Sequence, residues 1–156
     1  VRRSRVIEAW TYEPLERFVR ESGARLTLLM TPAGQVLAQF GFARAVDVMA
    51  AAALGAAVFA SSSEIARLLG NLEFSTLHHR GRRFGIFLGG CAVPRGRLLA
   101  LVIYGEDSSV GLVQLFFDEL VRGLQDAAPG QERSRPVLAA DFERELNDSL
   151  ASLFGR

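Results

Sequence analysis

Apolar positions change period several times along the chain, and each change marks an element. Leu15, Phe18 and Val19 fall on one face of a 3.6-residue repeat. Ahead of them stand Thr11, Glu13 and Pro14: a hydroxyl suited to capping, an acid favoured by the helix dipole, and a proline where no amide donor is missed. Gly23 supplies a left-handed stop, so the pattern predicts a first helix of about three turns. Residues 26–31 (LTLLMT) and 35–40 (QVLAQF) are short apolar runs on either side of Thr31-Pro32-Ala33-Gly34. Proline presets that turn and glycine accepts positive φ, which predicts a β-hairpin.

Residues 46–69 contain no proline, little β-branching and much alanine, and so read as one long helix ended by Gly70. Leu54, Val58, Ile65, Leu68 and Leu69 are its core candidates, while Ala53, Ala56, Ala57 and Ala60 form a small-residue side that a second copy or a partner can approach closely. Residues 72–79 read as a strand. In residues 83–89, Phe84, Ile86 and Leu88 alternate onto one face, and residues 97–104 (RLLALVIY) are apolar almost throughout, as a central strand buried on both faces would be. Ser108 or Ser109 caps a last helix with the stripe Val113, Phe117, Leu120, Val121 and Leu124. Leu112 and Phe116 lie off that stripe and imply a second surface to cover.

Residues 127–136 (AAPGQERSRP) bury nothing and read as a flexible linker. Beyond it, Leu138, Phe142, Leu146, Leu150 and Leu153 repeat at helical spacing, with Asp141, Glu143, Glu145 and Asp148 mostly on the other side. An amphipathic helix that short is marginal alone in water, so it is expected to form on a partner's groove or to fold back on its own domain.

Composition narrows the classes. A length of 156 residues at 49% hydrophobic suits one domain plus tails. The net charge is only +1, with arginine supplying all 18 basic residues, so nucleic acid is not an expected partner. Cys91 is the one cysteine, which excludes an internal disulfide, and no secretory or Cys/His metal pattern is present; the cytoplasm is the expected compartment. The basic residues 1–5 read as part of a solvated tail over 1–10. The uncharged run 48–60 is too short for the roughly 20 residues of a membrane span and is expected to be a buried helix.

Catalytic signals are weak. His78 and His79 are adjacent on a predicted strand, point to opposite faces and cannot share one metal in regular geometry. Cys91 has no histidine placed as a base, and Gly89-Gly90 lacks the lysine of a phosphate-binding loop. No catalytic, cofactor or metal residue is assigned. Arg80, Arg82 and Arg83 are the only cluster able to act on an acidic group or a phosphate, with a solvated strand connection as the plainer reading.

The order helix, strand, strand, long helix, three strands, helix resembles the roadblock/dynein light chain family. The likeness runs over about three quarters of the chain (residues 11–126) and includes the hairpin 26–40, the long helix ending Ile65-Ala66-Arg67-Leu68-Leu69-Gly70, the following Glu73-Phe74, and Ser109-Val110-Gly111-Leu112-Val113. Within the family the chain looks most like bacterial polarity regulators that carry a tethered acidic helix, here residues 141–154. The resemblance implies a profilin-like α+β fold, α-β-β-α-β-β-β-α, with a mixed or antiparallel five-stranded sheet flanked by helices. The expected domains are a tail (1–10), the roadblock domain (11–126), a linker (127–136) and the C-terminal helix (137–156).

It further implies a homodimer paired through an edge strand that includes Phe74, Leu77 and His78. The two long helices would then present Ala53, Ala56, Ala57, Ala60, Glu64 and Arg67 to a small Ras-like GTPase of the MglA type, at a cell pole. Such dimers stimulate GTP hydrolysis by reshaping the GTPase, without an arginine finger and without catalysis of their own. The tethered helix, through Phe142, Leu146, Leu150, Leu153 and Phe154, would modulate nucleotide exchange. Arg80, Arg82 and Arg83, and Ser61-Ser62-Ser63 in place of small apolar residues, depart from the family pattern. A scaffold dimer that binds a partner without activating it is the alternative. A sensory ligand-binding domain would need a cavity with polar anchors, which the sequence does not offer.

Overall fold

The computed structural model describes residues 5–6, 8–42, 46–70 and 74–130. Strand β1 (Arg5–Val6) and a 3-10 turn (Ala9–Thr11) lead into helix α1 (Tyr12–Ser22). Strands β2 (Leu26–Met30) and β3 (Val36–Gly41) form the expected hairpin, followed by helix α2 (Val48–Leu68). Strands β4 (Thr76–Arg80), β5 (Gly85–Val93) and β6 (Gly96–Tyr104) precede helix α3 (Val110–Ala127). The sheet order is β1-β3-β2-β6-β5-β4, and every pairing is antiparallel. Five strands make the expected sheet. The sixth is a two-residue addition from the segment expected to be a solvated tail: Arg5 pairs with Gln39 and Val6 with Ala38.

Local chemistry explains most boundaries. Gly34 takes φ 86° in the hairpin turn, where its amide donates to the Thr31 carbonyl at 2.9 Å. Gly23 takes φ 68° and stops α1. Thr11 departs from its expected capping role. It is buried inside the preceding 3-10 turn, and its hydroxyl donates backward to the Glu8 carbonyl at 2.7 Å. Asp47 caps α2, its carboxylate accepting from the Met49 and Ala50 amides at 3.0 and 3.2 Å. Ser109 caps α3 by accepting from the Leu112 amide at 3.2 Å.

The sheet has unequal faces. One is covered by α1 and α3: Leu15, Phe18, Val113, Phe117, Leu120 and Leu124 pack on Leu29, Phe87, Ala100 and Val102. Phe87 and Phe117 meet edge to face, with ring centroids 5.0 Å apart. Strand β2 is buried along its length, and β6, as expected of a central strand, runs between β2 and β5. The second surface implied for α3 faces the groove between it and α1, which Phe116 lines; Leu112 is exposed.

The other face carries only α2, and here the expected core side is reversed. Ala52, Gly55, Ala56, Phe59 and Ala66 are buried, whereas Leu54, Val58, Ile65, Leu68 and Leu69 are exposed. The reason is steric. The sheet itself supplies the bulk on this face through Leu26, Leu28, Met30, Leu88, Leu99 and Leu101. A Cβ added to Gly55 would lie 3.3 Å from the Met30 Cε and 3.4 Å from a Leu101 methyl, so only a small-residue side can sit this close. The run 48–60 is therefore not the buried helix expected from its composition. By length and composition alone α2 could cross a membrane, but its small-residue underside is seated on the sheet.

Candidate functional site

Helix α2 packs over β2 and β6 and leaves the same face of β5 and β4 open. Between the helix flank and the open strands runs an apolar groove of about 250 Å³, lined by Leu54, Val58, Leu77, Ile86, Leu88 and Ile103 among others. On the outer side of the helix Met49, Leu54 and Leu68 are 69%, 67% and 76% exposed. Exposed apolar side chains of this size on a helix beside an uncovered stretch of sheet are of the kind found at interaction sites. Strand β4 ends the sheet, with its outer hydrogen-bonding edge free of any strand among the described residues.

The structure distributes the predicted interface residues unevenly. Ala53, Ala57 and Ala60 are exposed on α2, and so are Glu64 and Arg67, which pair with each other at 3.0 Å. Ala56 is not with them: it lies 7% exposed beneath the helix, because it sits four residues after Ala52 and three before Phe59 on the sheet-facing side. Leu77 lines the groove, and His78 is exposed on the edge strand. Phe74 lies before the strand rather than in it and is 38% exposed; the strand begins at Thr76, later than expected, and residues 71–73 are outside the described part. Phe142, Leu146, Leu150, Leu153 and Phe154 also lie outside the described residues.

Sequence reasoning missed Met49, Leu54, Val58, Ile65 and Leu68 as surface residues. A signal for them existed. A helix apolar around its whole circumference must be covered on more than one side, and this domain offers only one.

The remaining candidates are placed as follows. His79 shares the groove side of β4 with Leu77, and His78 alternates to the other side. Cys91 lies within β5 at 1% exposure, and burial pushes its thiol up to about 11, which leaves it protonated near neutrality. Arg80, Arg82 and Arg83 are exposed around the β4–β5 turn. Among the described residues, no group of three or more His, Cys, Asp or Glu side chains is placed to hold a metal.

An antiparallel five-stranded sheet with two helices on one face and a third, small-sided helix on the other defines a roadblock fold, and solved structures share it. A roadblock/LC7 domain from Streptomyces avermitilis aligns at TM-score 0.61 and 14% identity, over 71% of this chain and 91% of that one. The gliding protein MglB from Thermus thermophilus aligns at TM-score 0.66 and 30% identity, over 76% of this chain and 88% of that one. An MglB solved with a tetrameric arrangement aligns at TM-score 0.67 and 29% identity, over 78% and 91%. No family model and no curated protein sequence matches the chain. At this identity and coverage the chain belongs to the roadblock family, as an MglB-like protein.

Proposed function

We propose that this protein is a homodimeric regulator of a small Ras-like GTPase of the MglA type, acting in bacterial cell polarity or gliding motility. The observation that carries the reading is the half-covered sheet face. One helix occupies β2 and β6, and the space left beside it over β5 and β4 is apolar and open. A second α2, brought in by edge pairing of β4 with its counterpart, covers that space and sets the two helices side by side. The solved MglB with a tetrameric arrangement and the gliding protein MglB support assembly and a motility role by relationship.

In this reading the outer surface of paired α2 helices, with Ala53, Ala57, Ala60, Glu64 and Arg67, meets the GTPase switch region. Acceleration of GTP hydrolysis would come from binding the GTPase more tightly in its transition-state-like conformation than in its resting one. The regulator contributes no catalytic group and no arginine finger. The tail, through Phe142, Leu146, Leu150, Leu153 and Phe154, acts separately on nucleotide exchange, and the protein works in the cytoplasm at a cell pole.

The test is single-turnover GTP hydrolysis by a candidate GTPase, with wild-type protein, with Ala60→Arg, and with a chain ending at Pro136. Stimulation by wild type, none by a folded Ala60→Arg dimer, and stimulation without an exchange effect by the truncated chain are expected. Full stimulation by Ala60→Arg removes the assigned face. Binding by wild type without stimulation shows a scaffold instead.

A further inference from the structure

Among the recesses that the regulator reading does not use is a hollow of about 160 Å³ at the start of α3. One wall is the β4–β5 turn, which holds Arg80, Arg82 and Arg83 and is closed by the Gly81 amide donating to the Phe84 carbonyl at 2.8 Å. The opposite wall is the loop from Gly105 into the helix. Arg25 braces this end of the sheet. Its guanidinium packs on Gly105, stacks 5.3 Å over the Phe84 ring and reaches Asp107 at 3.5 Å. The hollow thus sits between firmly placed segments.

Tyr104 lines the hollow. The residue is 4% exposed, its ring lies across Gly85 where any side chain would collide, and its hydroxyl is buried without a hydrogen-bond partner. Leaving such a donor unsatisfied costs about 1–3 kcal/mol, so its orientation is unexplained unless something arrives to accept from it. The helix adds more donors. Ser109 takes the Leu112 amide with its hydroxyl and the Val113 amide with its carbonyl, at 3.2 and 3.0 Å. Helix geometry leaves the Val110 and Gly111 amides without partners inside the helix, and a Cβ added at Gly111 would meet the Ser109 hydroxyl at 3.8 Å.

We propose that this recess binds a phosphate group, as inorganic phosphate or as the head of a small phosphate monoester. Charge and donor geometry point that way. Three arginines and a single acidic residue, Glu106, are in the lining, together with the first residues of a helix and Tyr104, whose hydroxyl has no partner. Tetrahedral oxyanions suit this set because each oxygen can accept from a different wall, and arginine forks grip two at once. Size sets the limit. The hollow is smaller than the roughly 300–1,000 Å³ of pockets that enclose whole ligands, so a monoester would leave its organic part outside.

The experiment is titration of the full chain with inorganic phosphate and with glycerol phosphate, followed by calorimetry and by melting temperature against chloride of equal ionic strength. Saturable binding and a raised melting temperature are expected. Tyr104→Phe removes the orphaned hydroxyl, so its melting temperature without phosphate stays level or rises, while phosphate affinity falls roughly tenfold, the worth of one hydrogen bond to a charged group. R82Q/R83Q loses roughly a hundredfold, as two such bonds would. Tighter binding of glycerol phosphate makes a monoester the source; equal or weaker binding makes it free phosphate. No saturable effect beyond chloride, or equal affinity in wild type and both variants, overturns the assignment. Because no GTPase enters the measurement, its outcome is separate from that of the regulator reading.

Discussion

Leu54→Glu separates folding from assembly. Leu54 is 67% exposed in the single chain and lines the groove beside α2. A surface substitution of this kind changes the stability of the isolated fold by about 0.5 kcal/mol or less. The cost falls on the proposed dimer. Fully burying a leucine is worth about 1.5–3 kcal/mol, and two thirds of that remains to be gained here, about 1–2 kcal/mol per copy. A two-fold interface counts the position twice, so removing the contact costs about 2–4 kcal/mol even before the carboxylate loses its water. At 1.4 kcal/mol per tenfold, the dimer dissociation constant rises roughly 30-fold to 1,000-fold. Sedimentation equilibrium over a concentration series reads that constant, and far-ultraviolet circular dichroism reports the fold. A folded Leu54→Glu protein that dimerises as tightly as wild type would refute the placement of the second α2 in the groove.

Three further substitutions probe the fold. Asp47→Ala removes a carboxylate that accepts two amide hydrogen bonds at the start of α2, and should lower stability by about 1 kcal/mol in urea unfolding. Thr27→Val replaces a fully buried hydroxyl that has no partner, and should leave stability unchanged or raise it by about 1 kcal/mol; a loss beyond that would mean the hydroxyl is satisfied in solution. Cys91 has its folded pKa raised from 9.0 to about 11 by burial, so the unfolded chain releases this proton first as pH rises. Its contribution is fully present below pH 9.0 and is lost towards pH 11, on the order of 3 kcal/mol. Cys91→Ala should flatten that part of the stability curve, and an unchanged slope would place the titration elsewhere.

Most elements were legible because their signals are local. Gly23 and Gly34 needed positive φ, Ser109 offered a cap, and the apolar run 97–104 was the best candidate for a strand covered on both sides. Thr11 departs from its expected role because a hydroxyl serves a preceding turn as readily as a following helix, and only the position of the Glu8 carbonyl decides between them. Strand β4 starts later than its sequence suggests because strand propensity does not fix where pairing with β5 begins, at Thr76 with Gly89.

The site shows the same division. Sequence determined that 48–68 is helical and richer in apolar residues than one buried face requires. It could not determine which side faces in, because both a leucine stripe and an alanine stripe are compatible with burial. The tertiary structure decided it: Met30, Leu88, Leu99 and Leu101 already fill the layer above the sheet, the helix must approach on Ala52, Gly55 and Ala56, and its large side chains are left outside. The convergence at Tyr104 is likewise tertiary. Arg80, Arg82 and Arg83 lie more than 20 residues from Tyr104 and Ser109 along the chain, and only the antiparallel pairing of Gly85 with Tyr104 brings the turn to the head of α3. Propensity and periodicity are properties of neighbouring residues, whereas the choice between two apolar faces depends on volume supplied by strands far away in sequence.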